Sequence, residues 1–394
     1  MHTSARGLTK HMRFLLLAAV AGVCQCISTS LDARTTSVKL PTTFKALVAA
    51  STGESFAEVA RVAELPMPSL EPGEALVRVV YAGVNGGCET FRARGDFAFA
   101  GNRDAADFAL GAEGVGVVAA VADDVEDVAV GDPVCFVGAG FAEYTKSKAA
   151  MLWKVPSTSP EYAALRISAL TACAMIEETG KVRAGETVLV TAAAGGAGHF
   201  AVQFAKLAGA TVIGTTSTEA KAAALARLGC DHVIVHTAED VGAALARLCP
   251  DGCDVVFEGV GGAMLQTALD HLADDGRLLQ VGAISEYPHN PAAADEGARN
   301  ELDALSLFWE GKTVTRGAQT LYGNAWPREN ALAAMRACKE RVLARHAAGE
   351  LVALVDDAEA FIGLERTSDA IAHMLSGKTT GKVVVKIGEE VAQE

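Results

Sequence analysis

Small residues fill six consecutive positions from Ala193 to Gly198, in the order A-A-G-G-A-G. A pyrophosphate docks on the free N–H groups of a helix N-terminus only where no side chain blocks its approach. Gly195 would allow that approach, and Gly198 would let a helix pack closely on a preceding strand. The pattern therefore favours a dinucleotide-binding turn over a plain tight turn. The residues predicted to line this turn are Ala193, Gly195, Gly196, Ala197 and Gly198.

The segments that flank the turn have the composition it requires. Thr187–Thr191 is a short, β-branched and apolar run, typical of a buried parallel strand. After the turn, Phe200, Phe204 and Leu207 recur at helical spacing and predict a helix that packs on a sheet. Strands and helices then alternate, which predicts a doubly wound parallel sheet. The six predicted strands are Thr187–Thr191, Ala210–Thr215, Asp231–Val235, Asp254–Glu258, Arg277–Val281 and Thr313–Gly317.

The segments before and after this α/β part have other patterns. Residues 44–162 predict strands separated by turns, at Lys45–Ala49, Glu74–Val84, Gly114–Val121 and Val134–Val137. The last part predicts helices around Arg328–Ala348 and Ser368–Leu375 and a strand at Lys382–Ile387. Since it is too small to stand alone, we expect it to fold back onto the β-rich domain. The predicted division is a targeting segment at 1–43, a catalytic domain at 44–162 and 319–392, and a dinucleotide-binding domain at 163–318.

Composition narrows the classes of partner. The chain of 394 residues carries a formal net charge of -14 and has no basic cluster in its body, which argues against nucleic acid or an anionic membrane as partner. Its nine cysteines have no repeated paired spacing. Cys249 and Cys253 could suggest a metal pair, but no second pair completes a zinc site, so reduced thiols are the favoured interpretation.

Residues 1–43 have the pattern of a targeting segment. Arg6, Lys10 and Arg13 precede the apolar run Phe14–Val23, which is short for a membrane helix and fits a signal sequence. Ser28–Thr43 is rich in Ser and Thr and has one acid, as in a transit peptide. A signal followed by a transit-like stretch indicates plastid import. The alternatives are a secretory signal, a membrane anchor or a mitochondrial destination.

The end of the second predicted strand bears on the cofactor. NAD enzymes place an acid there to hold the ribose hydroxyls. This chain instead has Thr215-Thr216-Ser217-Thr218, with Lys221 one helical step further on. Hydroxyls and a cation suit a 2′-phosphate, so NADPH is the predicted cofactor, bound by Ser217 and Lys221. Ser217 or Thr218 would also serve as a helix N-cap.

At this point the chain resembles the medium-chain dehydrogenase/reductase superfamily, in its zinc-free branch of quinone oxidoreductases and prostaglandin reductases. The resemblance covers roughly residues 44–387. It rests on seven ordered blocks: Gly83–Asn85, Leu110–Gly114, Val188–Gly198, Lys221–Asp231, Glu258–Gly262, Gly282–Tyr287 and Gly377–Lys382. It implies an α/β protein in which a Rossmann doubly wound parallel sheet binding NADPH accompanies a β-rich GroES-like catalytic domain. It also implies a homodimer.

Zinc-dependent members of the superfamily supply a Cys where this chain has Asn85 and a His where it has Ala112. No His occurs between His11 and His199, so the first part of the catalytic domain offers no imidazole. Because a catalytic zinc needs three protein ligands, we expect no metal.

The resemblance implies reduction of the activated C=C bond of an α,β-unsaturated carbonyl, or of a quinone. A hydroxyl donor can stabilise the charge that builds on the carbonyl oxygen. Tyr287 and Asn85 are the predicted catalytic residues; the alternatives are a structural loop tyrosine and a turn-stabilising amide. The chain departs from the pattern of its relatives in two places. Gly86-Gly87-Cys88-Glu89 follow Asn85, and His236 stands where relatives have a phosphate-binding tyrosine. The resemblance therefore does not identify the substrate. Further cofactor contacts are implied for Thr171, His236, Gly261, Gly282, Ile284, Tyr287 and Thr379.

The expected partner is thus a small enone or quinone, with no nucleic acid and no membrane for the mature protein. A zinc alcohol dehydrogenase and a catalytically silent NADPH sensor are the rival interpretations.

Overall fold

The computed structural model describes residues 40–49, 51–53, 55–87, 89, 108–287, 313–323 and 331–390. The predicted targeting segment lies almost entirely outside these residues. The described chain forms two compact units, one running to Ala163 with Phe361–Ser368 and the residues from Val385 onward, the other comprising Ala164–Ala360 and Asp369–Val384.

The first unit is rich in β structure. Its strands are β1 (Thr43–Ala49), β2 (Ala60–Pro66), β3 (Glu74–Gly83), β4 (Phe108–Ala109), β5 (Glu113–Val121), β6 (Pro133–Val137), β7 (Tyr144–Lys148), β8 (Trp153–Lys154) and β16 (Phe361–Ile362), with a short helix α1 (Phe56–Val59) and single turns at Ala149–Met151 and Leu364–Arg366. They form one sheet in the order β2-β1-β4 and another in the order β16-β17-β3-β5-β6-β8, with β17 (Val384–Lys386) at the end of the chain and β7 also paired to β3. Alternate residues of β3 (Ala75, Val77 and Val79) are fully buried and pack with Phe136 of β6.

The second unit is a doubly wound sheet. Its strands are β9 (Thr187–Val190), β10 (Thr211–Thr216), β11 (His232–Val235), β12 (Cys253–Glu258), β13 (Leu272–Gln280), β14 (Thr313–Arg316) and β15 (Gln319–Gly323). Its helices are α2 (residues 160–179, which begin in the first unit and include π-helical turns), α3 (Gly198–Leu207), α4 (Glu219–Arg227), α5 (Val241–Leu248), α6 (Gly262–Asp270), α7 (Ala331–Ala347) and most of α8 (Thr367–Leu375), with a single turn at Ile284–Glu286. The order β11-β10-β9-β12-β13-β15-β14 confirms the predicted Rossmann sheet.

One predicted strand has a different role. Thr313–Gly317 was expected to continue the parallel sheet, but β14 pairs antiparallel with β15, and β15 is the strand that runs parallel to β13. Gly317 has a φ of +63° in the hairpin between them, a conformation that favours glycine. The sixth parallel strand therefore begins at Gln319.

The boundary of the second unit differs from the predicted one at residue 318. Helix α7 belongs to the second unit because Cys338 and Val342 are fully buried and because Arg341 forms an ion pair with Glu177 of α2, Nε to Oε2 2.6 Å. The segment after α7 also stays there, since the Val352 amide donates to Gln203 Oε1 at 2.7 Å. Tertiary contacts, which local pattern does not reveal, set this boundary.

Helix α3 has the buried face that its sequence predicts, except at its end. Phe200 and Phe204 are fully buried, whereas Leu207 is 42% exposed. None of the described helices combines the length and apolar character needed to span a membrane.

Candidate functional site

The glycine turn joins β9 to α3 at the carboxyl edge of the parallel sheet. Gly195 donates its N–H to the Ala192 carbonyl at 2.9 Å, which closes the turn. Ala192 has a φ of +45°, a strained conformation for a residue with a Cβ. A Cβ on Gly198 would lie 2.4 Å from the Ala192 carbonyl oxygen, so only glycine lets the helix begin this close to the strand. In the part of the chain that the structure describes, no side chain caps this helix at Ala197.

A later segment of the second unit holds the turn in place. The Gly381 amide donates to the Ala194 carbonyl at 2.7 Å, and Gly381 forms a parallel bridge with Gly195. His199, the second residue of α3, accepts a hydrogen bond at Nε2 from the Leu354 amide at 3.1 Å. These contacts fix the backbone of the turn from two directions.

The end of β10 carries hydroxyls and a buried ammonium. Thr218 caps α4 by accepting from the Lys221 amide at 3.3 Å, so the capping role falls to Thr218. The Lys221 side chain is 8% exposed, and its Nζ donates to the Gly377 carbonyl at 2.6 Å and to Ser217 Oγ at 3.3 Å. Burial lowers the pKa of Lys221, and the charge of Asp356 opposes that shift. The arrangement places one cation and one hydroxyl where NAD enzymes have a carboxylate.

Two further predicted residues lie near this end of the sheet. His236 follows β11, is exposed, and donates its amide to the Thr216 carbonyl at 2.9 Å. Thr379 is half-buried in the segment between Gly377, which binds Lys221, and Gly381, which binds the glycine turn. The structure therefore brings both into the neighbourhood of Ser217 and Lys221.

Glu258 ends β12 as a fully buried carboxylate. Its Oε1 accepts from the Val260 amide at 2.7 Å and from Thr191 Oγ1 at 3.1 Å, and its Oε2 accepts from the Gly261 amide at 3.0 Å. Burial raises the pKa of Glu258, although these hydrogen bonds oppose the rise. The carboxylate holds the loop that carries Gly261, whose φ is +78°.

The loop after β13 carries Gly282, Ile284 and Tyr287. The Ile284 amide donates to the Gly259 carbonyl at 3.1 Å, so this loop and the Glu258–Gly261 loop lie side by side. Tyr287 is 6% exposed, and its hydroxyl accepts from the Ala283 amide at 3.4 Å. A Cβ on Gly282 would lie 3.0 Å from that hydroxyl, so glycine makes room for the tyrosine.

Thr171 lies on helix α2 and is half-buried. Ser168, one turn earlier on α2, lies 3.4 Å from the position that a Cβ would take on Gly196. The helix segment that carries Thr171 therefore approaches the glycine turn.

Asn85 belongs to the first unit. Its Nδ2 donates to Glu113 Oε1 at 2.8 Å and to the Gly83 carbonyl at 3.4 Å, and Glu113 is fully buried. These bonds fix the amide in one orientation. Ala112, next to Glu113, is 4% exposed.

Sequence reasoning missed three buried polar residues at the glycine turn and the strand ends. They are His199 and Glu258, both fully buried, and Lys382, which is 2% exposed and whose Nζ donates to Ser168 Oγ at 3.4 Å. Each of them is a polar residue inside an otherwise apolar or glycine-rich segment, and that isolated polarity could have indicated a buried hydrogen-bonding role.

The described part of the chain contains no group of three or more His, Cys, Asp or Glu side chains arranged to hold a metal ion. The Cys249 and Cys253 sulfurs lie 3.1 Å apart without further ligands of this kind among the described residues.

Two protein families match separate parts of this chain, and individual relatives match nearly its whole length. Residues 196–327 match the zinc-binding dehydrogenase family, and residues 71–157 match the alcohol dehydrogenase GroES-like domain. Prostaglandin reductase-3 of Mus musculus is 36% identical over 366 residues, covering 90% of this chain and 92% of that protein. The probable quinone oxidoreductase of Leishmania amazonensis is 35% identical over 350 residues, covering 88% of this chain and 99% of that protein.

Among solved structures, a mycobacterial protein complexed with NADPH superposes with a TM-score of 0.70 at 25% identity, covering 87% of this chain and 99% of that chain. The strand order, the glycine turn and these matches agree. The chain belongs to the medium-chain dehydrogenase/reductase superfamily, in its branch of quinone oxidoreductases and prostaglandin reductases.

Proposed function

We propose that this protein is an NADPH-dependent reductase of the activated C=C bond of α,β-unsaturated carbonyls, or of quinones. The observation that carries the proposal is the buried Lys221 ammonium beside Ser217 at the end of β10, next to a glycine turn that opens a helix. The prostaglandin reductase and quinone oxidoreductase relatives support the reaction class.

The residues present fit a dinucleotide phosphate. Gly195 and Gly196 carry no side chain that would block a pyrophosphate from the start of α3, a helix without a side-chain N-cap among the described residues. A 2′-phosphate would find a hydroxyl and a cation at Ser217 and Lys221. The first acid after β10 is Glu219, which is exposed on α4, so no carboxylate occupies the end of the strand.

When bound, NADPH supplies the hydride. The protein's own groups then have to stabilise negative charge on the substrate oxygen and deliver a proton. The Tyr287 hydroxyl accepts from the Ala283 amide at 3.4 Å, a bond that positions it within the loop after β13. We assign this donor role to Tyr287. For Asn85, the bond to Glu113 directs its amide, and we assign it a role in orienting the substrate.

We also propose that residues 1–43 direct the chain to a plastid and that the mature protein is a homodimer. The basic, apolar and Ser/Thr-rich succession in the sequence supports the first proposal. Import of a fluorescent fusion in an algal cell tests it, with secretion or mitochondrial import as the contrary outcomes. Sedimentation equilibrium tests the dimer, and a monomer at micromolar concentration would contradict it.

A steady-state assay of NADPH oxidation over a panel of enones, quinones and simple aldehydes tests the reaction. We expect turnover with enones or quinones and none with simple aldehydes. Turnover confined to aldehydes would indicate an alcohol dehydrogenase. Tight NADPH binding without turnover on any acceptor would indicate a nucleotide-binding sensor, and either result would contradict the proposed reductase.

A further inference from the structure

The cysteines that the proposed reaction does not use include a close pair near the protein surface, Cys249 and Cys253. Cys249 is the C-cap residue that follows helix α5, and Cys253 begins strand β12. Their sulfur atoms lie 3.1 Å apart. A disulfide bond is about 2.05 Å long, so the two sulfurs need to approach by only about 1 Å to form one.

The local backbone explains why the two thiols meet. Between them, Gly252 adopts a φ of +88° and donates its amide to the Cys249 carbonyl at 2.9 Å. A Cβ on Gly252 would lie 2.7 Å from the Ala273 amide nitrogen, so the turn also requires glycine for space. On the far side of the turn, the Cys253 amide donates to the His271 carbonyl at 2.7 Å. These bonds hold the end of α5 and the start of β12 so that the Cys249 and Cys253 side chains lie on the same side of the turn.

The hydrogen bonds give the two sulfurs different roles. The Cys249 thiol donates to the Leu245 carbonyl at 3.2 Å, so in the pair the Cys253 thiol is the donor and the Cys249 sulfur is the acceptor. This acceptor bond lowers the pKa of Cys249. Cys249 is 6% exposed and Cys253 is fully buried, so Cys249 is the sulfur that a small oxidant reaches first.

We propose that Cys249 and Cys253 form a redox-active dithiol, a modification site that a hydroperoxide closes to an intramolecular disulfide. The Cys249 thiolate attacks one peroxide oxygen; an S–O bond forms, the O–O bond breaks, and the leaving hydroxide takes up a proton as water. The Cys253 sulfur then attacks the Cys249 sulfur; the S–S bond forms, the S–O bond breaks, and the leaving hydroxide takes up the Cys253 thiol proton and departs as a second water. Two thiols are oxidised and one peroxide is reduced to two waters.

Other described cysteines provide internal comparisons. Cys230 is 7% exposed, nearly the same as Cys249, and its thiol likewise lies near a backbone carbonyl, that of His232 at 3.1 Å. Burial raises the pKa of Cys230 to about 12. Cys173 and Cys338 interact with each other but are both fully buried, so an oxidant reaches neither in the folded protein. Proximity combined with residual exposure distinguishes Cys249 and Cys253.

Peptide mass spectrometry of the full-length protein tests the proposal. Trypsin cleaves after Arg247 and Arg277, and the peptide between them contains Cys249 and Cys253 as its only cysteines. After a short treatment with hydrogen peroxide and alkylation of free thiols, we expect this peptide to lose two hydrogens and both alkyl groups. Dithiothreitol given before alkylation should restore both. We expect this oxidation to run roughly tenfold faster than that of Cys230.

The Cys253→Ser variant should instead retain a sulfenic acid at Cys249 that dimedone traps, and Cys230→Ser is the matched control that keeps the dithiol. If the wild-type peptide keeps two alkylated thiols while Cys230 is oxidised, the proposal is wrong. The same holds if the peptide is oxidised only to sulfinic or sulfonic acid. These two contrary outcomes are measured on the wild-type peptide and require no enzymatic activity. The test is therefore independent of the proposed reductase function.

Discussion

The imidazole of His199 bridges the glycine turn and a segment that follows it by some 155 residues. Its Nδ1 lies 2.8 Å from the Gly195 carbonyl oxygen, and its Nε2 lies 3.1 Å from the Leu354 amide nitrogen. Since a backbone amide can only donate, Nε2 is the acceptor, and the proton is on Nδ1, which donates to Gly195. The neutral ring in this one tautomer satisfies both bonds. Protonation at Nε2 would break the bond to Leu354.

Because protonation of His199 disrupts this bond, the free energy of unfolding should decrease as the pH is lowered. Burial lowers its pKa from 6.5 to about 4, so the unfolded chain binds the proton between about pH 6.5 and 4 while the folded chain does not. Stability from this residue is complete above about pH 6.5 and is lost as the pH falls to about 4, by on the order of 3 kcal/mol. Urea unfolding at about pH 7 and 5 measures the part of this loss that occurs above pH 5, about 2 kcal/mol.

His199→Gln removes the titrating group and should show a smaller loss between the two pH values. His232→Gln, at an exposed histidine of the same unit, is the control and should behave as wild type. A parallel decline of wild type and His199→Gln would contradict the assignment.

Replacement of Lys221 by Met should abolish the cofactor preference. The wild type should bind NADPH at least about tenfold more tightly than NADH, or about 1.4 kcal/mol. Met keeps the buried stem but removes the ammonium, so NADPH affinity should fall towards that of NADH, which changes little. Calorimetric titration of both cofactors measures this. Arg227→Met, at the exposed end of the same helix, is the control. Equal wild-type affinities, or parallel loss of both cofactors in Lys221→Met, would contradict the assignment.

Tyr287→Phe should lower kcat more than it changes NADPH affinity. Removal of one hydrogen-bond donor to a developing oxyanion typically costs about 2.7–4 kcal/mol, and we expect the low end or less because the nicotinamide ribose can share the role. Hydride transfer should become more rate-limiting, which a larger isotope effect with deuterated NADPH would reveal. Tyr322→Phe, at a half-buried tyrosine in β15, is the control. An unchanged kcat and isotope effect in Tyr287→Phe would show that Tyr287 only shapes its loop.

The purified protein should contain no stoichiometric zinc, although one matching family is described as zinc-binding. Asn85 and Ala112 stand where the resembling zinc enzymes have ligands, and neither side chain replaces a thiolate and an imidazole. Elemental analysis measures the zinc content, and a chelator should leave NADPH oxidation unchanged. One tightly held zinc per chain, lost together with activity, would refute the ligand argument.

Local patterns were sufficient for much of this fold. The β-branched run Thr187–Val190, the glycine turn and the stripe of Phe200 and Phe204 predict a strand, a turn and a helix because short-range spacing determines each of them. The proximity of Ser217 and Lys221 could also be predicted, since the two residues are four positions apart across the start of α4 and lie close together in the structure.

The remaining features depend on contacts distant in sequence. β14 and β15 have similar compositions, and only pairing with β13 determines which of them runs parallel. The position of α7 depends on the ion pair between Arg341 and Glu177. His199 acquires its role from Leu354, which no local pattern links to it.

The order of synthesis has a consequence for the glycine turn. A ribosome makes β9, the turn and α3 well before it makes the Leu354 and Gly381 amides that bind His199 and Ala194. The nascent chain thus carries an incompletely bonded nucleotide loop from the synthesis of residue 198 until residue 381 has been made. A premature stop or frameshift before residue 381 would leave that loop without its closing hydrogen bond, even where the whole parallel sheet had been made.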